Sequence, residues 1–262
     1  MGIFRRRIIL SSIAGRVEAG VEDDQHHIRV TLEHNGKFVT GVKGESIRVP
    51  FSTCPGAEKK IVDLIGMPLT VGVIHDKALW PSVLNPRVQC THMFELALLA
   101  IAQAARGGRR QYEISVPDPN GQTPFEVRDG KLLPKQSQGT TKAELRRNGE
   151  QALLWLLKGE LILEPALFTG QSLRAVLLWA YSRSFDDDLL EAIMVLRRGL
   201  HVATGRVMPI QQLPTAESMS LVAQGACHVF QPERIGEGRR NMDSLLDFTD
   251  RSGMLLIKMQ AH

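Results

Sequence analysis

The chain has 262 residues, of which 43% are hydrophobic. This composition is typical of a folded protein with a buried core and excludes a disordered or membrane-embedded class. The 32 basic and 28 acidic residues give a net charge of +4 and are mixed along the chain. Because they form no basic block, the charge distribution does not favour nucleic-acid binding.

The cysteine content and the N-terminal segment both favour the cytoplasm. Three cysteines leave an odd number without paired spacing, which is typical of free thiols in a reducing compartment. Arg5-Arg6-Arg7 and the apolar residues after them imitate the start of a signal peptide, but Arg16 interrupts the apolar run early. No other segment approaches the length of a transmembrane helix, so we expect a cytoplasmic protein without a membrane partner.

The first part of the chain predicts a hairpin followed by a short helix. Residues 28–49 alternate between apolar and polar side chains, and Asn35-Gly36 within them is a strong hairpin signal. The apolar spacing over residues 57–65 then predicts a short helix. Residues 71–74 are apolar and predict a further strand.

A second helix and a second hairpin are predicted next. Thr91 is a suitable cap for a helix over residues 92–105, whose nearly all-round apolar surface predicts that it is buried. Residues 112–116 alternate as a strand does and run into a turn at residues 117–121. The returning strand of this hairpin is expected at residues 125–127.

A polar stretch without apolar periodicity predicts a domain boundary. It separates an α+β domain, residues 1–135, from a C-terminal region, residues 140–262. Thr141 and Glu144 have the spacing of a capping box, which predicts that the second region opens with a helix. Further helices are predicted to begin at Ser172 and at the three aspartates that start with Asp186.

The fold class that follows from these elements is α+β. We expect antiparallel β-hairpins packed with two helices, followed by a mainly helical C-terminal region. The last long helix is predicted to end at Arg197-Arg198-Gly199, because basic residues and a glycine favour a helix C-terminus.

Cys90, His92 and Glu95 are the candidate catalytic residues. Cys90 would lie just before a helix N-terminus, where a thiol loses its proton more readily, and His92 would act as its base. Glu95 lies three residues after His92 and on the same helical face. A structural role competes with this hypothesis, since free cysteines are among the most buried residues and His92 would then be a hydrogen-bonded residue of the first turn.

Cys54, Arg109 and Arg234 are the candidate substrate-binding residues. Arg109 lies in the Gly- and Arg-rich segment 106–110, which could hold an anion, although solvated charge explains such a segment better. Arg234 ends a segment flanked by glycines that combines a thiol, an imidazole and a carboxylate with which the arginine could pair. Cys54 begins a turn before the first predicted helix. A zinc site that joins Cys54, Cys90, His92 and Cys227 or His228 matches no zinc spacing, so we expect no metal.

Two adjacent histidines, His26 and His27, lie beside Asp23 and Asp24 and imitate a metal site. Successive residues of a strand point to opposite faces of the sheet, so the two imidazoles cannot chelate one ion from the same side. We therefore expect both histidines at the edge and surface of the protein.

Four short segments are informative when they are taken together: Pro50-Phe51, Cys54-Pro55-Gly56-Ala57, Leu64-Ile65-Gly66 and Cys90-Thr91-His92-Met93-Phe94-Glu95-Leu96. They resemble the bacterial domain-of-unknown-function family 2889, mainly over residues 4–130, with a looser similarity around residues 227–248. Met93 stands where members of that family have leucine. The resemblance implies no established reaction, cofactor or fold, but it adds weight to Cys54, Cys90, His92 and Glu95.

Two functions are compatible with these observations. The first is a bacterial catabolic enzyme, of the lyase or hydrolase type, that acts on a small organic or coenzyme-linked acid. The second is a non-catalytic ligand-binding or assembly protein in which the Cys/His cluster is structural. A small-molecule ligand fits both, whereas the cofactor and the oligomeric state do not follow from the sequence.

Overall fold

Four antiparallel strands that follow one another form the first half of the fold. They are β1 (Ile3–Ile13), β2 (Arg16–Asp23), β3 (His27–His34) and β4 (Val39–Arg48). The predicted hairpin at Asn35-Gly36 is confirmed, because it joins β3 to β4. The computed structural model describes residues 2–119, 125–135, 139–219, 221–222 and 224–260.

A second set of strands forms the other half of the same sheet. Three of its strands, β8 to β10, follow one another, and β8 pairs with β5. A separate two-stranded hairpin, β6 with β7, lies between β5 and β8 in the chain. The strands are β5 (Gly108–Pro117), β6 (Phe125–Arg128), β7 (Lys131–Pro134), β8 (Thr140–Arg147), β9 (Glu150–Lys158) and β10 (Leu161–Glu164).

The sheet has eight strands in the order β10-β9-β8-β5-β1-β2-β3-β4. Its centre is the antiparallel pair β1 and β5, with Ile8 opposite Tyr112. On either side of this pair three strands follow one another outward. The two halves of the sheet therefore have equivalent strand order outward from the central pair.

One long helix follows each set of strands and packs on the same face of the sheet. The first, α1, contacts β1, β2 and β3, and its counterpart α3 contacts β5, β8 and β9. Gly199 lets α3 approach β5 closely, because an added Cβ would lie 2.6 Å from Cδ1 of Ile114. The helices are α1 (Thr91–Arg106), α2 (Val176–Tyr181), α3 (Asp187–Ala203) and α4 (Ile257–Gln260).

The predicted fold class is wrong in its second half, since the C-terminal region is not mainly helical. The helix expected from Thr141 onward is the β8–β9 hairpin, which belongs to the eight-stranded sheet. Side chains at every second position of these strands are buried, as a strand on a core requires. The buried set is Ala143, Leu145, Leu153, Trp155 and Leu157.

Other predictions differ from the structure in detail. Residues 71–74, expected as a strand, form a short 3₁₀ helix, and the helix predicted at residues 57–65 is a 3₁₀ helix over Cys54–Leu64. The returning strand after β5 pairs with β7 instead of β5. Helix α3 continues past the predicted end at Gly199 and stops at Ala203.

The predicted domain division between residues 135 and 140 remains a prediction, and residues 136–138 lie outside the described residues. The main sheet is continuous across it, because β5 pairs with β8. In the described ranges, no helix combines the length and the apolar character that crossing a membrane requires.

Candidate functional site

The start of α1 positions the three predicted catalytic residues. Cys90 is the N-cap residue, and its carbonyl accepts a hydrogen bond from the backbone of Phe94 at 2.8 Å. His92 lies in the first turn, and Glu95 lies nearly one turn further along. The structure therefore places all three on one helix, as predicted, but their side chains have different surroundings.

Glu95 forms a two-pronged ion pair with α3. Arg198 donates from Nε to Oε2 at 2.8 Å and from Nη2 to Oε1 at 2.6 Å. Burial lowers the pKa of Arg198, but Glu95 outweighs it and the net shift is upward. Both oxygens of this carboxylate bind the arginine and so connect the two helices. The group is therefore poorly placed to exchange protons with a substrate.

His92 lies against a chain of buried polar side chains. Its ring lies 4.1 Å from that of His26, measured between centroids, and Nδ1 of His26 is 3.0 Å from Oδ1 of Asp23. Asp23 in turn pairs with Arg6 of β1. Burial opposes ionisation of Asp23, but His26 and Arg6 outweigh it and lower the pKa of this carboxyl.

His26 was expected at the edge and surface, and that prediction is wrong. The residue is buried beneath α1, with only 7% of its surface exposed. Its backbone nitrogen and that of Gln25 both donate to Oδ1 of Asp23 at 2.8 Å. The turn between β2 and β3 folds over this buried aspartate, which explains why the histidine points inward.

The space beside His92 and Glu95 is a cavity of about 10 Å³. This volume has room for one water molecule at most. Nε2 of His92 is buried without a hydrogen-bond partner among the described residues. Burial, His26, Arg6 and Arg198 together lower the pKa of His92 well below its usual value, so the ring is neutral. The lining combines these charged groups with Ile8, Val21, Leu96, Leu99, Met194 and Val195.

Cys90 lies with the other two cysteines instead of lining this cavity. Burial raises its pKa to about 11, although backbone amides of the first turn oppose the shift. Burial and then Cys90 raise the pKa of Cys54, and burial raises that of Cys227. All three are free cysteines. At neutral pH they are therefore thiols and not nucleophilic thiolates.

Segments far apart in sequence meet around these thiols. The backbone nitrogen of His228 donates to the carbonyl of Gln89 at 2.9 Å, which brings the segment after Cys227 beside the start of α1. Arg240 lies over the ring of Phe51, with its guanidinium carbon 4.4 Å from the ring centroid. The segments that carry the family resemblance thus form one packed region.

The predicted substrate-binding residues lie apart from one another. Cys54 is buried beside the other two cysteines. Nη1 of Arg234 lies 3.0 Å from Nδ1 of His228, on the segment that packs beside these three cysteines. Arg109 lies on β5 and donates to the carbonyl of Met259 at 3.0 Å. These contacts gather no common surface for a substrate.

Four members of this polar cluster were not predicted from the sequence: Arg6, Asp23, His26 and Arg198. Three of them come from the β1–β3 region and one from α3, so no local spacing connects them to His92. One signal was present for Arg6, because it occupies a core-facing position between Phe4 and Ile8 in an alternating strand. The described residues contain no group of three or more His, Cys, Asp or Glu side chains arranged to hold a metal ion.

A larger concave site lies at the C-terminal end of α3. It has a volume of about 400 Å³, within the range of small-molecule sites. The end of β5, the end of β9 and the small β6–β7 hairpin form its sides together with α3. The walls are mainly apolar and include Val116, Phe125, Leu157, Leu173, Leu200 and Val207.

Polar groups face this cleft at a few points. His201 of α3 lines it, as do Arg174 and Glu160, which form an ion pair with Nε and Oε2 2.9 Å apart. Burial lowers the pKa of His201 to about 3, with further contributions from Arg197, Arg198 and Arg174. The imidazole is therefore neutral at physiological pH and lies in a field of positive charge.

No protein-family model matches the chain, and a search of curated proteins finds no significant match.

Proposed function

We propose that the protein is a non-catalytic binding protein for a small apolar carboxylic acid, which it binds in the cleft at the C-terminal end of α3. The observation that carries this proposal is the combination of an apolar cavity of about 400 Å³ with a neutral imidazole and nearby cationic side chains. Apolar walls supply affinity and a few polar groups supply orientation, which is the usual division in small-molecule sites.

The charge near His201 supports an acidic ligand. Burial is the main cause of the low pKa of this histidine, and Arg197, Arg198 and Arg174 lower it further, so the potential around it is positive. Arg198 is neutralised by Glu95, and Arg174 by Glu160. Arg197 donates from Nε to the carbonyl of Leu173 and takes part in no ion pair with a described residue. Its charge favours a carboxylate at this end of the cleft.

A lyase or hydrolase activity at Cys90, His92 and Glu95 has less support from the same geometry. A cavity of about 10 Å³ cannot admit a substrate, and a thiol with a pKa of about 11 is a weak nucleophile at neutral pH. Glu95 is already bound by Arg198. The sequence allows either a catalytic or a structural role for these three residues, and these properties favour the structural role.

Calorimetric titration with octanoate and phenylacetate tests the proposal, with the uncharged amide of each acid as the matched ligand control. We expect the acids to bind and the amides to bind at least about tenfold more weakly, since a charge-assisted hydrogen bond contributes about 1.5–3 kcal/mol. Chemical-shift changes of the His201 ring on titration would locate the ligand.

Three variants make this test specific. Ala203→Trp fills the cleft from the end of α3 and should abolish binding, and Arg174→Gln should weaken the acids more than the amides. Arg183→Gln is the control, because Arg183 lies over the ring of Trp179 and outside the cleft lining. Wild-type binding of the acids by Ala203→Trp would contradict the proposal, as would the absence of any binding by the wild-type protein.

A further inference from the structure

A third cavity lies on the opposite face of the sheet from the two helices. It has a volume of about 100 Å³ and is enclosed by three central strands and the C-terminal segment, through Ser252 and Leu255. A water molecule occupies roughly 30 Å³ in the liquid, so this space has room for a small ion with some hydration. Its location is independent of the cleft at the end of α3.

Two rows of side chains across β1, β5 and β8 form the floor of this cavity. Cross-strand pairing places Arg5 opposite Ser115 and Ser115 opposite Glu144. The second row contains Arg7, Glu113 and Arg146 in the same order. Residues paired across antiparallel strands project from the same face, and the two rows lie two residues apart along each strand. All six side chains therefore project from one face of the sheet.

Positive charge exceeds negative charge on this floor. Arg7 pairs with Glu113, and Arg146 pairs with Glu144 at 3.2 Å. Both carboxylates therefore already have a partner. Arg5 belongs to no ion pair in the described part of the chain, and its Nε is buried there without a hydrogen-bond partner.

An unpaired, partly buried guanidinium is costly unless an anion completes its hydrogen bonds. The arginine fork matches the oxygens of a phosphate, and hydroxyl groups of Ser115 and Ser252 line the same space. We propose that this cavity binds a phosphate-type oxyanion, either as free phosphate or as the phosphate group of a larger ligand, with Arg5 as the principal contact.

The C-terminal segment makes the cavity a defined site and not an open charged surface. Arg7 donates from Nη1 to the carbonyl of Leu255 at 3.1 Å, and the backbone nitrogen of Leu256 donates to Oε2 of Glu22 at 2.7 Å. These bonds hold the segment over the sheet at the border of the cavity. A bound anion would thus contact both the sheet and this segment.

The test is a titration of the wild-type protein with inorganic phosphate and, in parallel, with glycerol 3-phosphate. Ionic strength is held constant with potassium chloride, because general screening also changes stability. We expect a saturable rise in melting temperature, since a ligand that binds only the folded state stabilises it. A tighter fit for the ester would indicate a phosphorylated ligand, and equal affinity would indicate the free ion; both results support the site.

Variants distinguish this site from general anion effects. Arg5→Gln should weaken phosphate binding at least about tenfold, and Ser115→Ala should weaken it several-fold with little effect on folding. Arg29→Gln is the matched control, because Arg29 lies on the same sheet face with a buried Nε that also has no partner among the described residues, but it does not line the cavity. Wild-type affinity in both Arg5→Gln and Ser115→Ala, or no phosphate effect beyond that of potassium chloride, would overturn the proposal.

Discussion

At the start of α1, burial has a larger effect on the pKa of the Cys90 thiol than the helix N-terminus has. The partial positive charge at this end lowers the pKa of a nearby thiol, and backbone amides of Met93 and His92 act in that direction on Cys90. Burial opposes them and prevails, so the pKa rises to about 11. The local sequence identifies the favourable helix position, whereas the deciding desolvation comes from segments distant in the chain.

Replacing His92 with alanine tests the structural role of the polar cluster. Loss of the ring removes its contact with His26 and leaves a void between α1 and the sheet, at a cost of about 2 kcal/mol. The melting temperature should fall by about 4–8 °C, and binding in the cleft at the end of α3 should be unchanged. Calorimetry of the His92→Ala, His26→Ala and double variants should show coupling between the two rings. An unchanged melting temperature with lost binding would contradict the structural role.

Two partly buried, neutral histidines should make the protein less stable in mild acid. The folded-state pKa of His92 is well below its usual value and that of His201 is about 3, so both rings stay neutral at pH 5.5. In the unfolded chain they bind protons below a pKa of about 6.5. The contribution of these two rings to the free energy of unfolding is therefore fully present above about pH 6.5 and decreases below it. The loss is about 1.4 kcal/mol for each ring at pH 5.5.

Urea denaturation at pH 7.5, 6.5 and 5.5 measures this loss. Asp24 acts in the opposite direction, because burial raises its pKa to about 6 and the folded protein then binds a proton more readily than the unfolded chain. The His92→Gln variant isolates the contribution of His92. The free energy of unfolding of this variant should depend less steeply on pH than that of the wild-type protein. An equal dependence in the variant and the wild-type protein would show that His92 does not contribute.

The hairpin β8–β9 was predicted to be a helix, and that prediction is wrong. Thr141 and Glu144 have capping-box spacing, but the same two residues lie in β8. The stronger signal was Asn148-Gly149, which joins β8 to β9 with φ of +51° and +86°. Both residues of this dipeptide adopt the left-handed region that such a turn requires, as Asn-Gly sequences readily do.

The Gly149→Ala variant tests this correction. An alanine at φ +86° is strained by about 1–2 kcal/mol, so the free energy of unfolding should fall by that amount. Gly236→Ala is the control. Gly236 does not have a positive φ, and no atom lies within 4 Å of the position that an added Cβ would occupy. Chemical denaturation of both variants provides the comparison. Equal stability of the two would argue against a tight β8–β9 turn.

Elements with local signals were predictable, and those that depend on partners were not. The helices α1 and α3 and the β3–β4 hairpin follow from periodicity, caps and turn residues close to one another in sequence. The pairing of β1 with β5 and of β5 with β8 joins strands more than twenty residues apart, which no local pattern specifies. The same limit explains the site, where His92 and Glu95 were identified but their contacts with His26 and Arg198 were not.

For the whole molecule, reciprocal ion pairs join the two equivalent halves. Glu95 is the fifth residue of α1 and binds Arg198 near the end of α3. Glu191 is the fifth residue of α3 and binds Arg106 at the end of α1, at 2.7 Å. Since both carboxylates reach across the boundary between the halves, each half supplies an arginine partner for a carboxylate of the other.

Splitting the chain at the predicted boundary tests how far the halves depend on each other. Fragment 138–262 contains β8 to β10 and α3 but lacks β5, on which β8 pairs. It also lacks Phe51, which lies beneath Arg240, and Glu22, which binds the backbone of Leu256. Without these partners the fragment exposes an unpaired strand edge and an apolar sheet face.

We therefore expect fragment 138–262 to remain unfolded alone and to fold when mixed with fragment 1–137. Circular dichroism during thermal unfolding should show a cooperative transition only for the mixture, which should also elute as a one-to-one complex in size-exclusion chromatography. The uncut chain is the control for the transition. A cooperative transition of fragment 138–262 alone would show that the division separates two independent domains, because burial of β8 would then not require β5.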